Sequence, residues 1–120
     1  MVVCERQASK RFAQTQDSGG RVVCQAMIPE HLDVLGKRYA IQVVQRESGD
    51  YGECFVDQCR IEVANYQCMD QQRDTLLHEA MHAVDHEMHC SMTEPQIRRM
   101  ATGLLALLRQ NPALAAFLVA

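Results

Sequence analysis

The sequence predicts an α+β fold in which a small, mostly antiparallel sheet packs on a long helix and is followed by a C-terminal helix. Three observations point to it. Apolar residues alternate in RYAIQVVQ (Tyr39, Ile41, Val43) and in CRIEVA (Ile61, Val63), as one buried strand face requires. The twenty residues from Asp70 to His89 contain neither Gly nor Pro, so nothing interrupts a helix there. Further on, Ile97, Met100, Ala101, Leu104, Leu107 and Leu108 recur at the spacing of one helical face.

Taken in chain order, residues 1–28 are mixed and polar, with Gly19 and Gly20 breaking any pattern, and read as an N-terminal extension. Residues 29–120 read as a single domain. HLDVL, a Gly36-Lys37 turn and RYAIQVVQ suit a hairpin. After the polar turn ESGDYG, the segments ECFVD and CRIEVA are two more strands. Thr93 and Gln96 fit a capping box at the start of the last helix, with Pro95 in the first turn, where its missing N–H costs little. Asn111-Pro112 ends that helix, and the apolar tail ALAAFLVA is expected to pack on the core.

A chain of 120 residues suffices for one core and is too short for two ordinary domains. With 48% hydrophobic and 22% charged residues, wholesale disorder is excluded. A net charge of −3 with scattered Lys and Arg gives no footprint for nucleic acid. No apolar run approaches the roughly 20 residues of a membrane span, and MVVCERQASKRF lacks the apolar core of a signal peptide, so the expectation is a cytoplasmic protein away from the membrane. Six cysteines (Cys4, Cys24, Cys54, Cys59, Cys68, Cys90) form no CxxC pair, and in that compartment they are expected as reduced thiols.

The chemistry lies in HEAMH, residues 78–82, an HExxH string. Residues four apart on a helix stack, so the imidazoles of His78 and His82 can bind one metal ion. Glu79 stands about 100° round the helix, where its carboxylate meets a water on the metal and acts as general base. Zinc suits this role, because it brings such a water toward a pKa of about 7. On the same wheel His78, His82, Asp85, His86 and His89 gather within roughly 100°, beside an apolar sector of Leu77, Met81, Val84 and Met88 expected to face the core. Asp85 can orient a ligand imidazole, or take an N–H or a cation elsewhere.

Catalytic zinc takes three protein ligands and keeps one position open. Glu94, His86, His89 and Cys90 are the candidates for the third, and Glu94 would complete a His-His-Glu set. Against it, an unbroken helix to His89 followed by a simple antiparallel return would set residues 98–101, not Glu94, opposite His82.

From about residue 31 to 118 the chain resembles small phage- or prophage-type HExxH metallopeptidase-like proteins, and more loosely the minigluzincins and the ImmA/IrrE metallopeptidases. The resemblance rests on LGKRY, GEC, CRIEVA, TLLHEAMHAVDHE and TEPQIRRMATGLLALLRQNP. It implies a minimal zincin-like fold holding one Zn2+, with His78 and His82 at the metal histidines, Glu79 at the base and Glu94 at an acidic position opening the glutamate helix. It also implies that CRIEVA is the edge strand of the cleft, so that Arg60, Ile61, Glu62 and Val63 align a peptide or protein substrate by strand addition. The chain departs from its relatives at Pro95, where they tend to carry a second acid, and at His89 and Cys90, where they tend to have a Gly-containing turn.

Two functions follow as expectations. The first is zinc-dependent hydrolysis of peptide bonds, of gluzincin type. The second is a zincin-fold binding module, with little or no catalysis, that contacts a regulatory protein.

Overall fold

The computed structural model describes residues 27–120 and, in addition, the backbone of two short strands, β1 (Gln14–Gln16) and β2 (Val22–Cys24), paired antiparallel. The rest of the expected extension, with Cys4, lies outside the described residues. The remainder is α+β. Four strands, β3 (His31–Val34), β4 (Lys37–Val44), β5 (Gly52–Phe55) and β6 (Arg60–Ala64), precede three helices, α1 (Met69–Met88), α2 (Glu94–Gln110) and α3 (Pro112–Leu118).

The sheet has the order β3-β4-β6-β5. β3 and β4 form the expected hairpin, but its turn is Leu35-Gly36, and Lys37 already pairs with Val34. A two-residue hairpin turn of this hand needs positive φ at both positions, and Leu35 (48°) and Gly36 (92°) supply it. β6 then inserts between β4 and β5, parallel to the first and antiparallel to the second. The sheet is thus mixed, with two antiparallel pairs and one parallel pair.

This order corrects the expectation for residues 60–63. β6 is an inner strand, hydrogen-bonded on both sides, and Ile61 and Val63 are fully buried. Arg60, Ile61, Glu62 and Val63 therefore have no free backbone to offer a substrate. Among the described residues, the edge beside the long helix is β5.

Val34, Tyr39, Ile41, Ile61 and Val63 from the sheet meet Ala83 of α1 in the core. The buried stripe of α1 is Met69, Gln72, Thr75, Glu79 and Ala83. The expected core sector of Leu77, Met81, Val84 and Met88 is displaced: Leu77 and Met81 are half-buried, Val84 packs at the margin of the core, and Met88 is 59% exposed. The displacement has a polar cause. Gln67, 1% exposed, donates through Nε2 to the carbonyls of Tyr51 and Ala64 and accepts from the Thr75 hydroxyl at 2.7 Å, while Gln72 donates to its backbone carbonyl. This network turns the polar side of the helix toward the sheet.

The capping box of Thr93 and Gln96 forms as expected, and Ile97 and Ala101 bury α2. The tail folds into α3 but does not join the core, since Phe117 is 79% exposed and Val119 84%. The thiols of Cys54, Cys59 and Cys90 are free, whereas Cys68 is disulfide-bonded, which overturns the reduced-thiol expectation there. No described helix is long and apolar enough to cross a membrane.

Candidate metal centre

His78 and His82 occupy one face of α1 a single turn apart, and their Nε2 atoms approach to 3.2 Å. Two nitrogens each about 2.05 Å from one tetrahedral ion would stand about 3.3 Å apart, so the spacing of the pair is compatible with a shared metal ion. The next helix supplies the third donor. Glu94 spans both rings, with Oε1 2.6 Å from His78 Nε2 and Oε2 2.8 Å from His82 Nε2. Three donors, two nitrogen and one oxygen, converge on one small volume, a set that could hold a divalent metal ion.

The register of the helix pair explains how Glu94 arrives. Thr102 donates to Asp74 at 3.0 Å, and Arg109 reaches Asp70 at 3.4 Å, so α2 runs antiparallel along α1. His82 lies eight residues after Asp74, and Glu94 eight before Thr102, so both contacts belong to one register. The geometric objection from the sequence assumed a helix continuing to His89. The helix does run to Met88, within a residue of the expected end, but the loop after it is not a simple return: the chain reverses at His89 (φ 55°) and runs back beside the last turn, with Met92 N–H bonded to Asp85 Oδ1 at 2.9 Å.

Glu79, beside them, is buried at 7% exposure, with Oε2 4.0 Å from His78 Nε2. His78, Glu79 and His82 bring their ligand-type atoms within 4.8 Å of one another. Burial first, then the charges of Glu94 and Glu53, push the Glu79 carboxyl up to about 7. Its neighbour across the cleft is Gly52 of β5. A Cβ there would stand 2.6 Å from the Glu62 carbonyl oxygen, 2.8 Å from Thr75 Cγ2 and 3.6 Å from Glu79 Cγ. Only glycine lets the edge strand come this close to the helix. The pattern of the sequence held a cue to this, since a glycine next to Glu53 suits an edge better than the apolar CRIEVA does.

The remaining expected residues scatter. Asp85 does not serve an imidazole: its Oδ1 accepts the Met92 backbone N–H at 2.9 Å. His86 is exposed on the wall of the cleft. His89 is exposed at the end of α1, and Cys90 follows it, also exposed.

Two cavities flank the centre and share Gly52, His78, Glu79 and Glu94. One, about 420 Å³, extends past Cys54 and Val56 toward His86; the other, about 360 Å³, extends past Tyr51 toward Asp74 and Arg98. Together they form a groove along β5, open on both sides of the donors. Arg46 holds this strand from its other side, bonding to Glu53 of β5 at 3.0 Å, to Glu62 of β6 and to Asp50 at 2.8 Å. The chain matches no family model, no curated protein and no solved structure.

Proposed function

We propose that the chain is a zinc-dependent peptidase that cleaves within an extended peptide laid along β5. One observation carries the reading: His78, His82 and Glu94, from two helices, bring their nitrogen and oxygen atoms within 3.2 Å of one another in pairs, beside a buried Glu79. The likeness of its motifs to small HExxH metallopeptidases supports it, as does the groove open on both sides of the donors, which suits a chain passing through.

The ion, when bound, supplies an acidified water and a Lewis acid for the scissile carbonyl. The two imidazoles would hold it through Nε2, and the Glu94 carboxylate, which contacts both Nε2 atoms directly, would exchange those contacts for the ion as each ring turns its lone pair to the metal. Glu79 accepts the proton of the attacking water and returns it to the leaving amine. With a dication held beside it, the Glu79 carboxylate would be drawn back toward its ionised, proton-accepting form against the burial that raises its pKa. The outward N–H and C=O groups of β5 align the peptide, with Gly52 leaving room next to Glu79.

Zinc content and cleavage of a peptide library by wild type, Glu79→Gln, His82→Ala and Glu94→Ala test this. Glu79→Gln should keep its zinc and lose turnover by about 10²–10⁴-fold. His82→Ala should lose zinc, and Glu94→Ala should hold it with an affinity weakened but still measurable. If Glu79→Gln cleaves like wild type, the peptidase reading fails. A Glu94→Ala variant with wild-type zinc affinity would remove Glu94 from the ligand set.

A second reading, a binding module without turnover, draws on the openness of the centre, where the Glu94 side chain is 52% exposed. The same experiment separates the two, since zinc binding without cleavage in wild type favours the module.

A further inference from the structure

The five residues between α1 and α2, His89 to Thr93, carry Glu94 to the histidines, and a single residue governs their path. The backbone carbonyl of Asp85 accepts the N–H of His89 and, at 3.2 Å, that of Cys90. Its side-chain Oδ1 accepts the N–H of Met92 at 2.9 Å. Thr93 N–H goes to Gln96 Oε1 at 2.8 Å, within the capping box. Of the four N–H groups paired in this way, three end on Asp85.

The loop needs such restraint. His89 (φ 55°) and Ser91 (φ 56°) both sit in the left-handed region without being glycine, a conformation that persists only where its surroundings hold it. The two backbone bonds to Asp85 fix the first bend. The side-chain bond fixes the second, past Ser91 and two residues before Glu94. A carboxylate is a strong acceptor for a backbone N–H, so this contact is the firmest the second bend has.

We infer that Asp85 is a positioning residue for Glu94: its side-chain bond to Met92 N–H sets the path of the loop so that the Glu94 carboxylate reaches both imidazoles, and thereby sets zinc affinity. Asp85 stands one turn beyond His82, and its side chain bonds to the loop and not to an imidazole. Its carboxylate is spent on the loop, which ties the geometry of the third donor to the helix that bears the first two. The inference rests on Glu94 as third ligand.

Zinc affinity, measured on the full chain by competition with a chromogenic chelator, tests it in a double-mutant cycle. Asp85→Ala should weaken zinc about tenfold, the scale typical of residues that orient ligands. Asp85→Asn, whose amide oxygen accepts the same N–H, should recover most of that loss. Made on top of Glu94→Ala, Asp85→Ala should cost nothing more, since the residue it positions is gone. Wild-type affinity in Asp85→Ala overturns the inference. So does a further tenfold loss in the Glu94→Ala background, which a general structural role would produce. If the alanine variant does not fold, Asp85→Leu, similar in shape and lacking an acceptor, takes its place in the cycle. Failure of the underlying reading is distinct: Glu94→Ala then binds zinc like wild type, whatever happens at Asp85.

Discussion

Replacing Glu79 with glutamine in the zinc-free protein removes a buried carboxyl whose grip on its proton is strengthened by folding. Burial and the nearby Glu94 raise its pKa from 4.5 to about 7. Below pH 4.5 both the folded and the unfolded chain are protonated at this group, and it has no effect on stability. As pH rises toward 7 the unfolded chain ionises first, so folded stability falls; above 7 the full penalty stands. The displacement spans about two and a half decades of proton affinity, at about 1.4 kcal/mol each, and at 7% exposure solvent screens little of it. Allowing for partial ionisation of the unfolded chain at pH 5, wild type should lose roughly 2–3 kcal/mol between pH 5 and pH 8 through this group alone. Glu79→Gln should not. Urea unfolding of both proteins with a chelator present, at pH 5 and at pH 8, measures the gap between them, and contributions from the histidines common to both largely cancel. A gap equal at the two pH values would refute the argument that Glu79 is ionised at a cost in the folded chain.

Two further outcomes follow from the cleft. Gly52→Ala should destabilise by roughly 1–3 kcal/mol, the usual cost of overpacking, because its Cβ would meet backbone oxygen at 2.6 Å, and urea unfolding reads this directly. The Cys54 thiol, pushed up to about 12 by burial and by Glu79, should alkylate with iodoacetamide at pH 8 much more slowly than the exposed Cys90, as site-resolved mass spectrometry would follow.

What could be read from sequence divides along one line, local against non-local. His78, Glu79 and His82 lie within five residues of one helix, so their mutual geometry is set by helical pitch and needs no knowledge of the fold. Glu94 is different, because its reach depends on how the chain turns back after α1 ends. The stop is made by His89 in a conformation usually left to glycine, a choice that the string HEMHC does not reveal. Strand order is non-local as well. Alternation correctly made Ile61 and Val63 one buried face, but the same burial that makes CRIEVA conspicuous puts it inside the sheet, and the edge fell to the less apolar GECF. The core-facing side of α1 was misjudged for a related reason. Gln67, Gln72 and Thr75 look like surface residues until they are seen to satisfy one another, and their network, not the Leu and Met count, decides which side of the helix meets the sheet.

The shortness of β5 has a kinetic meaning. An extended chain added to its four residues gains about four backbone hydrogen bonds, each with a net value of about 1 kcal/mol. That sums to an affinity no tighter than the millimolar range, before the entropy of association weakens it further. Backbone pairing alone therefore gives an encounter that ends quickly, and this applies as much to the edge of a second molecule as to a peptide. So brief an edge is a poor seed for runaway strand addition. Residence in the groove must come from what lies beyond the ladder, which leaves the side-chain cavities on either side, with Tyr51 and Asp74 at one end and Val56 and His86 at the other, to decide which chains stay.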